Sequence, residues 1–133
     1  MALRADAGVL WERMKRLLVF AAGLEVLTGA GLILDPRIFT RLLFGEGVAG
    51  AGLALGRVTG CGLLCLGLAC MPGRATGASL FSAARALLTY NLLITLLLLY
   101  LGIQGDRAGV LLWPSIALHA VLSILLIGFR ARE

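Results

Sequence analysis

The chain has 133 residues, 60% of them hydrophobic and 14% charged, with a formal net charge of +5. Soluble domains carry about 25% charged residues, so this composition excludes an ordinary soluble fold. It also excludes a nucleic-acid binder, which needs a basic face on a soluble surface.

Four apolar runs, Leu17–Leu34, Val48–Cys70, Leu80–Gly102 and Gly109–Phe129, are each near the roughly 20 residues that cross a bilayer core. In lipid each must be a helix, because irregular backbone would leave its amides unpaired. The expected fold is therefore all-α, a polytopic four-transmembrane-helix bundle forming one membrane domain over residues 1–133. The first run is long, carries Glu25 in its middle and is followed by no small-x-small cleavage site, so it reads as a retained span rather than a signal peptide.

Ahead of the first span, VLWERMKR places Trp11 among basic residues, as at a membrane interface. After it comes DPRIFTRLLF, Asp35 to Phe44. Asp35 suits a helix cap and Pro36 a first helical position. Ile38, Phe39, Leu42 and Leu43 then share one face and Arg37 and Arg41 another, the pattern of a short interfacial helix over 36–44 or of an apolar loop plug.

The second span holds glycines at four-residue steps, Gly52, Gly56 and Gly60, which favours close packing against a neighbouring helix. Gly67 stands outside that series. Arg57 lies about 100° further round the helix, with Cys61 and Cys65 on its own face. These two cysteines and Cys70 read as small packing residues, since one helical turn seldom suits a disulfide.

MPGRATGAS, Met71 to Ser79, is a turn with Ser79 as a candidate cap of the third span. QGDRAG, Gln104 to Gly109, is another turn. Trp113 and Pro114 open the fourth span, where a first-turn proline is tolerated.

Arg4, Arg13, Lys15, Arg16, Arg74, Arg85, Arg130 and Arg132 fall on one side of this topology, and Arg37, Arg41 and Arg107 on the other. Eight against three places both termini in the cytoplasm. The basic edges then face anionic inner-leaflet lipid, and the bilayer is the expected partner.

Each span carries one strongly polar residue near its middle: Glu25, Arg57, Asn91 and His119. Thr28, Thr95, Ser115 and Ser123 accompany them at helical spacing. Charges within a bilayer are costly unless paired and turned inward. The expectation is a midplane cluster built on a Glu25–Arg57 ion pair, with Asn91, His119, Thr28 and Ser115 completing its hydrogen bonds.

Such a cluster serves either as a structural clasp or as a site for a ligand, ion or proton. A single histidine and three cysteines on one helix do not supply a zinc site, and no metal or cofactor is expected. No nucleotide loop, GxSxG or paired-carboxylate arrangement is present. A non-enzymatic structural, accessory or small-molecule- or lipid-binding role follows. The alternatives are a small transporter or channel-like module using Glu25, Arg57 and His119, and a membrane enzyme subunit or haem carrier. Besides lipid, the expected partners are further copies of the chain in a homo-oligomer or the other subunits of a larger membrane complex.

LEVLTG, Leu24 to Gly29, resembles the first helix of small multidrug-resistance exporters, four-helix proteins with a glutamate at this place. Arg57, the longer chain and the charge bias depart from that pattern. The size, the four helices and the segment LGRVTGCGLLCLGLAC are similar to small bacterial DoxX-like membrane proteins. That resemblance implies a bacterial inner-membrane protein of unsettled role.

Overall fold

The computed structural model describes residues 2–73, 77–105 and 108–130. The structure is all-helical and comprises α1 (Ala2–Leu34), α2 (Pro36–Phe44), α3 (Ala51–Cys70), α4 (Gly77–Gln104) and α5 (Leu112–Arg130). Four of these contain stretches long and apolar enough to cross a bilayer: Leu10–Leu34, Ala51–Cys70, Ser79–Gln104 and Leu112–Phe129. Their outward faces carry large apolar side chains, among them Leu27, Val58 and Ile124, at 71%, 69% and 68% exposure. Such surfaces suit hydrocarbon rather than water. The chain is a multi-pass membrane protein.

The helices differ from the expected spans at their starts, for local reasons. α1 begins at Ala2 rather than Leu17, since nothing in ADAGVLWERMKR breaks a helix. α3 begins at Ala51 rather than Val48 because Gly50 takes a φ of 53° and turns the chain just before it. Val48 instead donates its N–H to Thr40 Oγ1 at 3.2 Å. α4 begins at Gly77, so Ser79 lies inside the helix rather than capping it. α5 begins at Leu112 rather than Gly109, because the N–H groups of Gly109 and Leu111 donate to Leu43 and Leu42 C=O at 2.9 and 2.8 Å. Pro114 then falls in the first turn, where no intrahelical N–H is required. The side chains of Arg4, Arg74, Arg107, Arg130 and Arg132 lie outside the described residues.

α2 forms a helix with Asp35 as its N-cap, accepting from Arg37 N–H at 2.9 Å, and with Pro36 at its start. It packs on α1, α3 and α5. Pro36 is buried against Gly56, the Phe39 ring lies on Gly31, and Arg37 and Arg41 stay exposed. The end of α2 thus meets the residues just ahead of α5, Gly109 and Leu111.

The helices associate as two intimate pairs, α1 with α3 and α4 with α5. The α1–α3 seam depends on glycine. A Cβ on Gly60 would stand 2.7 Å from Gly29 C=O and 2.9 Å from Ile33 N, and one on Gly67 2.6 Å from Ala22 C=O. Gly29 is as confined, 2.5 Å from Leu64 N. Close backbone approach of this kind is how helices associate without a hydrophobic drive. Gly52 is not part of the seam, since its Cβ would meet only Val48. Gly67, outside the four-residue series, is part of it.

Two apolar cores follow. One joins Met14, Leu18, Ala21, Ala22, Cys70, Leu80, Leu87, Leu122 and Leu126. The other joins Leu98, Leu112 and Ile116 at the α2 end. Along α4, Asn91 falls between Leu87 and Leu98; along α5, His119 falls between Ile116 and Leu122.

Candidate functional site: a polar layer between two apolar cores

Asn91 of α4 is completely buried and hydrogen-bonded on both sides of its amide. Its Nδ2 donates to Leu87 C=O at 2.8 Å, one turn back. Its Oδ1 lies 2.8 Å from His119 Nδ1 of α5. With the amide nitrogen committed to a carbonyl, Oδ1 must accept, so His119 carries its proton on Nδ1 and leaves Nε2 as an acceptor. Thr95 Oγ1 donates to Asn91 C=O at 2.7 Å and Ser123 Oγ to His119 C=O at 2.9 Å. These hydroxyls turn back onto their own helices.

Tyr90, adjacent to Asn91, was not among the residues singled out in the sequence. Its ring stands edge-on to His119, with centroids 6.0 Å apart and planes at 80°. Its phenol lies close to the Glu25 carboxyl of α1. A tyrosine in mid-span was the available signal, because a buried phenol needs a partner for its O–H.

Glu25 is 1% exposed, and its Oε1 has no hydrogen-bond partner. It is the one buried side-chain oxygen or nitrogen so placed among the described residues. No cationic side chain of the described residues reaches it. Cys70, buried at the end of α3, is close enough to interact electrostatically with the carboxyl.

The expected ion pair is therefore absent. Arg57 is exposed, and its Nε donates to Ile33 C=O at 3.3 Å. Ile33 is in the last turn of α1, whose carbonyls have no intrahelical donors. A guanidinium there satisfies one of them and complements the negative helix end. The physical reason is the seam: Gly60 lies against Gly29 and Ile33, so Arg57 in the same turn faces the end of α1, and Glu25 is eight residues, about 12 Å, back along that helix from Ile33.

Thr28 and Ser115 make no hydrogen bond to the cluster. Cys61 and Cys65, read as packing residues, are exposed, and only Cys70 is buried.

The structure thus brings Glu25, Asn91 and His119 into one chain of contacts through Tyr90 and leaves Arg57, Thr28 and Ser115 outside it. No protein-family model, curated protein or solved structure matches the chain. The chemistry must be read from the residues themselves. In the Asn91–His119 half both ends of the Asn91 amide are paired. The Glu25 half is open, with one carboxyl oxygen facing no donor.

Proposed function

We propose that this chain is a non-enzymatic inner-membrane binding protein. In this reading the polar layer sits near the bilayer midplane and both termini are cytoplasmic. The site's two halves have separate duties. Asn91 and His119 clasp α4 to α5 and hold Tyr90 in place. Glu25 receives a small ligand that brings a hydrogen-bond donor and a positive charge, a protonated lipophilic amine being the chemical class that fits.

The observation that carries this reading is the unpartnered Oε1 of Glu25. A buried acceptor left unsatisfied costs about 1–3 kcal/mol, and an ionisable residue within a membrane span is a functional site by default. A purely structural clasp has no use for such an oxygen. The Tyr90 ring beside it supplies a face that attracts a cation. The whole-chain likeness to DoxX-like proteins supports the inner membrane. The transporter alternative would use the same carboxyl. It would not use Arg57, which is committed to the end of α1.

Calorimetric titration of octylammonium into nanodisc-embedded protein tests the reading, with 1-octanol as the uncharged control. Saturable amine binding that disappears in Glu25→Gln is expected. Identical isotherms for wild type and Glu25→Gln would overturn it.

A further inference from the structure

A second feature lies away from the polar layer, between the first half of α1, the start of α4 and the end of α5. A cavity of about 200 Å³ opens between α1, α4 and α5, lined by Met14, Phe81, Leu88, Leu126 and Phe129, with Arg85 as its charged member. It is not sealed, since Phe81 and Arg85 are exposed and Phe129 is half-exposed. We propose that this cavity is a binding site for one anionic phospholipid, which lays an acyl chain along the apolar wall and its phosphate on Arg85.

The occupant follows from depth and charge. Arg85 lies about two turns, or ~9 Å, inside the Ser79 edge of its span. A guanidinium there reaches up to headgroup level along its apolar stem. It presents a planar donor fork, which a phosphate fits in bidentate fashion. The nearby cation of α1 is already occupied. Lys15 Nζ contacts Glu12 Oε1 at 3.3 Å and stands 5.9 Å from the Trp11 ring centroid. Below the charge the wall is apolar, and an open apolar recess in a bilayer gains dispersion contacts when a hydrocarbon chain fills it.

Trp11 supplies the probe. It packs edge-on against Phe81, a lining residue, at 6.5 Å between centroids. The chain has two tryptophans, so Trp113→Phe leaves Trp11 as the only indole emitter. Quenching of Trp11 is measured in vesicles containing dibrominated phosphatidylglycerol or dibrominated phosphatidylcholine. An apparent preference of about fivefold for phosphatidylglycerol is expected, the ~1 kcal/mol that one basic residue contributes at an anionic surface. Arg85→Gln, a change at an exposed position, brings the ratio to about one. Ala84 also lines the cavity, and Ala84→Leu, which fills it, reduces quenching by both lipids. Equal quenching by the two lipids in the parent protein would overturn the proposal, and so would a fivefold preference that survives Arg85→Gln.

Discussion

His119 Nδ1 lies 2.8 Å from Asn91 Oδ1, and this bond ties α5 to α4 at the level where both apolar cores give way to polar side chains. Its direction is fixed, because Asn91 Nδ2 already donates to Leu87 C=O. Hydrogen bonds between membrane helices contribute about 0.6–1.7 kcal/mol. Asn91→Leu and His119→Leu should therefore each cost about 1–2 kcal/mol, the upper end reflecting the orphaned partner. The double variant should recover about 1 kcal/mol relative to the sum. Equilibrium unfolding in mixed micelles measures the cycle; strict additivity would separate the two residues.

Glu25 and Arg57 should show the opposite behaviour. Arg57→Met removes a bond to the end of α1 and should cost about 0.5–1.5 kcal/mol. Glu25→Gln removes no ion pair. The two changes share no partner, so the double variant should equal the sum within about 0.5 kcal/mol. A coupling well beyond that, in the same unfolding assay, would restore the ion pair.

The α1–α3 seam makes a prediction about single methyl groups. Gly60→Ala and Gly67→Ala place a Cβ against backbone atoms of α1 that cannot move aside, and each should destabilise by about 1–3 kcal/mol. Gly62 has open space at the same position, so Gly62→Ala should be neutral or stabilising by up to about 1 kcal/mol. Melting temperatures in detergent rank the three. Equal melting of all three variants would remove the seam from the account.

The charge asymmetry predicts the orientation. Reporter fusions or cysteine labelling should place both termini in the cytoplasm. A C-terminus on the far side would mean that the eight-to-three split had been misassigned.

The architecture was legible in the sequence because lipid leaves few alternatives: four apolar runs of spanning length can only be helices. The short helix after Leu34 was legible too, since Asp35 and Pro36 carry a cap signal that acts within one turn. Arg57 was misjudged because its depth was counted from Val48. Gly50 delays α3 by three residues, about 4.5 Å, and the rest of the offset comes from where α1 crosses α3, which sets Gly60 against Ile33 and the guanidinium beside a backbone carbonyl. Gly67 was missed because periodicity ranks glycines by spacing, whereas the seam depends on where α1 crosses. Tyr90 escaped notice because an aromatic in an apolar run looks like packing until its hydroxyl must be accounted for.

The central claim is that Glu25 Oε1 is unpartnered so that a ligand can occupy it. Infrared difference spectroscopy observes that carboxyl directly. Spectra of nanodisc-embedded wild type with and without octylammonium, referenced to Glu25→Gln, should show a carboxyl-stretch feature that the variant lacks. Superimposable difference spectra for wild type and Glu25→Gln, at amine concentrations that saturate binding, would contradict the account.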